Sequence, residues 1–325
     1  MTILVAIYSP FSSWCIPDVW VQRLRERFPQ HTFTVAQSDD ETMAAIGDAE
    51  VAFGARINPA HLDAAWRLQW IHSHAAGVGG MLFPAMVASD VVLTNSRGLS
   101  AVSIAEHTIA VTLSLFRSLP FAYDRQRERQ WAQDEFIDLI RTLRGARVLI
   151  VGLGAIGSEV AKLAAAFGAS VTGIRRRADG GPTAGVEKVA GPADLARELP
   201  GADVVVISAP QTSDTWHLIG AQELASMKDG AVLVNVSRGK LVDEAALVAA
   251  LDSGRLRGAA LDVFEHEPLD PSSPLWGRKD VIVTPHVSGF FPDYWRDVVD
   301  LFSDNLRRYE AGQALRNVVD KQAGY

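Results

Sequence analysis

An α/β fold built from two successive parallel-sheet units is what this 325-residue sequence predicts. Three observations carry the prediction. Short β-rich runs alternate with helical stretches over the first hundred residues, and a second alternating series starts at Arg147. The length is also about twice the ~150 residues usual for one domain. Strands separated by helices pair in parallel and need cover on both faces of the sheet.

The first series reads as strands at 3–8, 32–35, 50–54, 68–73 and 91–95. After the first of them, residues 18–28 set Val19, Leu24 and Phe28 against Arg23, Arg25, Glu26 and Arg27, which is helical spacing. Residues 100–119 read as one long, mostly apolar helix stopped by Pro120. Glu106, His107 and Arg117 interrupt it, so a membrane span is excluded and burial between domains or subunits is expected. The second series gives strands at 148–151, 170–174, 203–208, 231–236, 258–263 and 281–284. Helices intervene at 156–167, closed by Gly168, and at 243–251, closed near Gly254. The segment 178–185 is a Gly/Pro-containing loop. After Pro285 the strand pattern stops, and 293–312 forms one amphipathic helix with Val298, Leu301, Phe302 and Leu306 on one side. No strand is left for it to serve in the second unit, so it is expected to return to the first.

Composition removes several function classes. With 48% hydrophobic and 21% charged residues the chain is ordinary for a globular protein, which argues against disorder. The net charge is −7 and no cluster of five basic residues occurs, so neither nucleic acid nor an anionic membrane is an expected partner. Residues 1–8 are apolar but lack a basic leader, and read as a strand rather than a signal peptide. The single cysteine, Cys15, excludes an internal disulfide and a multi-cysteine zinc site and suits a reducing cytoplasm.

Gly152-Leu153-Gly154-Ala155-Ile156-Gly157 follows a strand and opens a helix. That context turns a weak pattern into a dinucleotide-binding turn: one glycine for the tight turn, one for close approach of a pyrophosphate, one for helix–strand packing. Free N–H groups at the helix start then attract phosphate. The next strand would end in Asp or Glu if the cofactor were NAD, because a carboxylate binds the free ribose diol. Here it is followed by Arg175, Arg176 and Arg177. Guanidinium groups pair with a 2′-phosphate, which points to NADP(H) with NAD(H) as a lesser possibility. The competing reading is a solvated basic turn.

Three later strands end in residues suited to catalysis. Asn235-Val236-Ser237-Arg238-Gly239 follows one, Asp262 to Glu267-Pro268 the next, and Thr284-Pro285-His286 the last. Carboxyl ends of strands line the ligand crevice of an open parallel sheet. An arginine, a carboxylate and a histidine supply an anion clamp, an orienting base and a proton donor, as reduction of a 2-keto acid requires. Singly, each has a structural explanation; at three successive strand ends they make a site.

By these segments the chain resembles the D-isomer-specific 2-hydroxyacid dehydrogenases over almost its whole length. Residues 143–157, the Asn235–Gly239 loop, 258–268 and Thr284-Pro285-His286 fit the family pattern in order and spacing. The resemblance implies that Arg238, Glu267 and His286 are the catalytic triad and that Asp262 holds the nicotinamide carboxamide. Pro210 would border the adenosine side, and Val236, His286 and Gly289 would also line the cofactor. Ala75-Ala76-Gly77-Val78-Gly79 looks like the substrate loop, whose amides at Val78 and Gly79 would bind the carboxylate alongside Arg238. Many members carry Asp where Gly79 stands, a departure of little weight where the backbone makes the contact. The family fold is discontinuous. A Rossmann dinucleotide domain (100–289) would be inserted into a flavodoxin-like substrate domain (1–99 plus 290–325). The arginine turn and the ending 317–325 look most like the NADPH-linked glyoxylate/hydroxypyruvate reductase branch.

The function so implied is reduction of small 2-keto acids to D-2-hydroxy acids by a cytoplasmic homodimer, with no metal required. Two rivals stand beside it. Related folds oxidise formate or phosphite; Glu267 argues against the formate branch, which has Gln there, and leaves phosphite open. Some members are dinucleotide-sensing corepressors. Trp14, Phe290, Phe291, Tyr294 and Trp295 either narrow a pocket or fill a core, and core is expected for most of them.

Overall fold

The computed structural model describes residues 1–176 and 181–324. In chain order its strands are β1 (Thr2–Ala6), β2 (Thr32–Val35), β3 (Val51–Gly54), β4 (Trp70–Ser73), β5 (Val92–Asn95), β6 (Arg147–Val151), β7 (Ser170–Ile174), β8 (Lys188–Ala190), β9 (Val204–Ile207), β10 (Ala231–Asn235), β11 (Leu256–Leu261) and β12 (Val281–Val283). Its helices are α1 (Asp18–Arg27), α2 (Asp39–Ile46), α3 (Pro59–Ala64), α4 (Pro84–Ala88), α5 (Ala101–Phe116), α6 (Leu119–Arg127), α7 (Ala155–Ala166), α8 (Leu195–Glu198), α9 (Ala221–Ser226), α10 (Glu244–Asp252) and α11 (Tyr294–Glu310). None of the described helices is long and apolar enough to cross a membrane. The chain divides into two compact units, Met1–Leu99 with Phe291–Tyr325, and Ser100–Phe290.

In the first unit five parallel strands lie in the order β2-β1-β3-β4-β5. This is the flavodoxin-like order, with its switch point between β1 and β3. Successive side chains of a strand point to opposite faces, and the core divides accordingly. Leu4, Ala6, Ala52, Ile71 and Leu93 fill one face, while Ile3, Val5, Val51, Phe53 and Trp70 fill the other. Helix α11 closes the second face with Val298, Phe302 and Leu306; the Phe302 ring stacks on Phe53 at 4.2 Å and on Trp70 at 5.5 Å.

The second unit has seven parallel strands in the order β12-β11-β10-β9-β6-β7-β8. Alternation again sorts the faces: Leu149, Val151, Val205, Ile207 and Leu233 on one, Val148, Ile150, Val204, Val206 and Val232 on the other. Helices α5 and α7 cover the latter through Ala105, Ile109 and Leu115 and through Val160, Ala161 and Ala164. The strand order reverses between β6 and β9, which places the ligand crevice at their carboxyl ends.

Three expectations need correction. Pro120 does not stop the long helix. Helix α5 already ends at Phe116, Ser118 turns the chain in the left-handed region (φ 53°), and Pro120 sits in the first turn of α6. No intrahelical N–H is required there. The apolar face of α5 packs on the sheet and α7 of its own unit, which accounts for its burial. The strand β8 was not foreseen: Lys188–Ala190 is three residues long, at an edge, and carries no alternating pattern long enough to read. Strand boundaries otherwise move by at most two residues.

Candidate active site

The glycine turn lies at the switch point of the seven-stranded sheet, and each glycine has a separate reason. Gly152 has φ 108°, and a Cβ there would meet Ala209 N, just beyond β9, at 2.5 Å. A Cβ on Gly157 would lie 2.1 Å from Gly152 O, so the first turn of α7 can press against the strand end only as glycine. At Gly154 a Cβ would meet nothing within 4 Å, leaving open space at the start of a twelve-residue helix. Open space at Gly154, beside the N–H groups of Ala155 and Ile156 at the positive end of α7, fits a pyrophosphate.

Beyond β7, Arg175 lies half-buried and Arg176 exposed. The Arg175 guanidinium donates from Nη2 to Gly181 O (2.6 Å) and from Nη1 to Thr183 Oγ1 (3.4 Å), tying the far side of the loop to the strand end. Arg177 and the first part of the 178–185 loop lie outside the described residues. Pro210 is exposed after β9, and its carbonyl accepts from Thr215 Oγ1 at 2.8 Å. Val236 is buried, its N–H donating to Ile207 O at 3.3 Å.

The loop after β10 is shaped by Asn235. Its Oδ1 accepts from Ser237 N (3.1 Å) and its Nδ2 donates to Arg238 O (3.0 Å), while Ser237 Oγ donates to Ala209 O. Gly239 allows Phe264 to cross: a Cβ there would meet Phe264 C at 1.8 Å. Among the described residues the Arg238 side chain has one hydrogen bond, from Nη1 to Ser237 O at 2.6 Å. Burial lowers the proton affinity of this guanidinium and the charge of Glu267 opposes that. Arginine stays charged regardless, so a desolvated cation with most of its donors uncommitted can take an anion.

His286 Nδ1 meets Glu267 Oε2 at 2.7 Å, and both side chains are about a third exposed (35% each). The other Glu267 oxygen accepts from Phe264 N at 3.0 Å. Burial pushes the Glu267 carboxyl up, but the hydrogen bond and charge of His286, with the Phe264 amide and Arg238, outweigh it and hold the group below the usual carboxylate range. Glu267 is therefore an ionised acceptor, and Nδ1 of His286 carries the proton between them.

The backbone at His286 is left-handed, φ 55°, uncommon for a residue other than glycine although histidine adopts it more readily than most. Asp262 holds it there. The Asp262 carbonyl accepts from His286 N at 2.8 Å, and its buried carboxylate accepts from Thr284 Oγ1 (2.6 Å), Val287 N (2.9 Å) and Ser288 N (3.0 Å). Gly289 follows, where a Cβ would touch Ser100 at 3.5 Å. Behind Thr284 lies His107 of α5, its Nε2 at 3.3 Å from Thr284 Oγ1. Sequence reasoning read His107 only as a polar interruption of an apolar helix. One signal was present: His107 shares the α5 face of Ile104 and Val111, so its ring points to the same side as core residues.

In the first unit the 75–79 loop leaves β4, with Val78 buried and Gly79 exposed. A Cβ on Gly79 or Gly80 would meet nothing within 4 Å, so the loop is open on that side. The aromatics about 290–295, with Trp14, are half-buried. Trp295 stacks on buried His74 at 5.8 Å, the Tyr294 hydroxyl donates to His74 O at 2.9 Å, and Trp14 and Phe291 pack edge-on against Tyr294.

Comparisons with known proteins agree with this geometry. Residues 109–288 match the model of the D-isomer specific 2-hydroxyacid dehydrogenase, NAD binding domain. The D-3-phosphoglycerate dehydrogenase of Archaeoglobus fulgidus is 32% identical over 82% of this chain; the chain spans about half the length of that relative (50%). Glyoxylate/hydroxypyruvate reductase B of Escherichia coli is 30% identical, the match covering 94% of this chain and 95% of that one. The NADPH-dependent glyoxylate/hydroxypyruvate reductase of Sinorhizobium meliloti, solved in complex with NADP and sulfate, superimposes with a TM-score of 0.85 over 100% of both chains at 27% identity. The family model thus covers more than half of the chain, including the glycine turn and all three strand-end residues. On that ground the chain belongs to the D-isomer specific 2-hydroxyacid dehydrogenase family.

Proposed function

We propose that this protein reduces small 2-keto acids, such as glyoxylate or hydroxypyruvate, to D-2-hydroxy acids with NADPH. The observation that carries this reading is the 2.7 Å His286–Glu267 pair, which follows the carboxyl ends of β11 and β12 as the glycine turn follows that of β6 in the same parallel sheet. The second unit holds the dinucleotide through Gly152, Gly154, Ala155, Ile156 and Gly157. When bound, the reduced nicotinamide supplies a hydride to the keto carbon.

The chain's own residues do the rest. His286, donating Nδ1–H to Glu267, gives the carbonyl oxygen a proton from Nε2. Glu267 keeps the ring oriented and balances its charge as that proton is lost and regained. Arg238 binds the substrate carboxylate and polarises the carbonyl. The N–H groups of Val78 and Gly79 in the first unit are further hydrogen-bond donors suited to a carboxylate. The NADPH preference is supported by Arg175 and Arg176 at the end of β7, where an NAD enzyme would place a carboxylate, and by the NADP in the Sinorhizobium meliloti structure. Association as a homodimer is supported by exposed apolar side chains on and after α6: Tyr123, Trp131 and Ile137. The lone Cys15 fits a cytoplasmic setting.

Turnover of glyoxylate and hydroxypyruvate with NADPH, followed by loss of the reduced cofactor, tests the proposal. His286→Ala is expected to lower kcat by about 10²–10⁴-fold while leaving NADPH binding largely intact. No turnover of any 2-keto acid, or near-normal turnover by the variant, would overturn it.

A further inference from the structure

We propose that His107, two turns into α5, is a positioning residue that fixes the His286 turn through Thr284 and Asp262. The argument starts from hydrogens. The Asp262 carboxylate can only accept, so the 2.6 Å contact uses the single Thr284 hydroxyl proton. The contact between Thr284 Oγ1 and His107 Nε2, at 3.3 Å, must then take its proton from the imidazole. That fixes the Nε2–H form of the ring and gives the chain one direction, from His107 to Thr284 to Asp262. Burial lowers the proton affinity of His107 against the attraction of Asp262, so the ring serves as a neutral donor.

The chain ends where precision matters. Asp262 Oδ1 receives both Thr284 Oγ1 and Val287 N, and Oδ2 receives Ser288 N at 3.0 Å. These contacts bracket His286 and hold its backbone in the left-handed region at φ 55°. Without the His107 proton the Thr284 hydroxyl has a second use, as a donor to water. The Asp262 carboxylate would then keep only the Val287 and Ser288 amides to fix its orientation. The same carboxylate is the group that the family resemblance assigns to the nicotinamide carboxamide, so its orientation bears on both reactants. Helix α5 supplies the rigid element: Ala105, Ile109 and Leu115 anchor it in the core, and Thr108 and Thr112 return their hydroxyls to the helix backbone. The inference rests on the proposed reductase activity only for its catalytic consequence; the positioning can be read without turnover.

The experiment compares His107→Leu, His107→Gln, Thr284→Val and Thr284→Ser with the wild type. Gln places a donor near the Nε2 position, and Leu fills space without one. Amide hydrogen exchange in the unliganded protein is the first readout. Val287 and Ser288 should exchange at least 10-fold faster in His107→Leu and Thr284→Val and near the wild-type rate in His107→Gln and Thr284→Ser. The β10 and β11 amides should stay unchanged throughout. The second readout is steady-state kinetics with glyoxylate. There kcat should fall about 10–100-fold in the Leu and Val variants, with KM within about 3-fold, and the double variant should be no worse than either single one. Unchanged protection at Val287 and Ser288 in His107→Leu overturns the inference. So does a loss that Gln shares, or one spread equally over β10 and β11, because packing alone would then explain it. Should the wild type reduce no 2-keto acid while the exchange pattern holds, the functional proposal fails and the positioning role stands.

Discussion

Acid should dismantle the first unit through two buried histidines, and the size of the effect follows from their surroundings. His72 is wholly buried between Phe53, Trp70 and Phe302, with Nδ1 at 2.7 Å from Thr94 Oγ1. Burial, with a contribution from His74, pushes its pKa down to about 3. Burial and the Arg56 charge push His74 down to about 4. In the unfolded chain both titrate near 6.5. Below that pH the unfolded state binds more protons than the folded one, so stability present above pH 6.5 is lost as pH falls toward the folded values. Between pH 7.5 and 4.5 the linkage amounts to about 2.5 kcal/mol for each histidine, or about 5 kcal/mol together. That is a large share of the ~5–15 kcal/mol typical of a folded domain. Replacing His74 by Phe isolates one half of it. The ring keeps its stacking on Trp295, and Nδ1 has no hydrogen-bond partner among the described residues, so the variant should lie within about 1 kcal/mol of wild type at pH 7.5. On acidification it should then lose about half as much from this source. Urea titrations followed by tryptophan emission at the two pH values measure this. The signal is dominated by the first unit, because Trp70 is fully buried whereas Trp131, Trp216 and Trp276 of the second are already 92%, 52% and 52% exposed. Equal losses in wild type and His74→Phe would refute the reasoning.

Two further outcomes are expected. Arg238→Ala should raise KM for the keto acid and lower kcat, and Lys should rescue only in part because it offers a point charge in place of a planar fork; complete rescue in initial-rate assays would rule out a bidentate clamp. Wild-type enzyme should favour NADPH over NADH by about 10–100-fold in kcat/KM, less at high ionic strength, and Arg175→Ala with Arg176→Ala should nearly abolish the preference. Since Arg175 also ties down Gly181 and Thr183, Arg176→Ala alone separates phosphate recognition from loop support. Equal use of both cofactors by the wild type would remove the phosphate role.

Much of the fold was legible because its strands are dense in Val and Ile and buried on both faces. Residues such as Val204–Ile207 have little choice but a sheet interior. The glycine turn and the positions of Arg238 and His286 were legible for a related reason, since each comes within three residues of such a strand, with Glu267 further along the loop after β11. What stayed hidden depends on distance in space rather than on pattern. The approach of His107 to Thr284 joins positions 177 residues apart, and nothing local to either marks it. The guanidinium of Arg175 turns back to Gly181 and Thr183, a contact that a count of charges after β7 does not distinguish from solvent exposure. The break at Ser118 was hidden for the opposite reason, because a helix-compatible sequence runs on past it and only the left-handed φ reveals the turn.

The closing of the first sheet by α11 bears on the order in which the molecule assembles. Phe53 and Trp70 meet Phe302 across more than two hundred intervening positions, so that part of the sheet face which α1 does not reach has no cover until α11 has been synthesised. The second unit is continuous from Ser100 to Phe290 and needs no residue outside that range to fill its two core clusters. It can therefore be complete while Phe53 and Trp70 still wait for Phe302, the reverse of the usual order in which the N-terminal part folds first on the ribosome. Until then the waiting surface is an apolar parallel sheet, the kind of species most exposed to aggregation and to capture by chaperones.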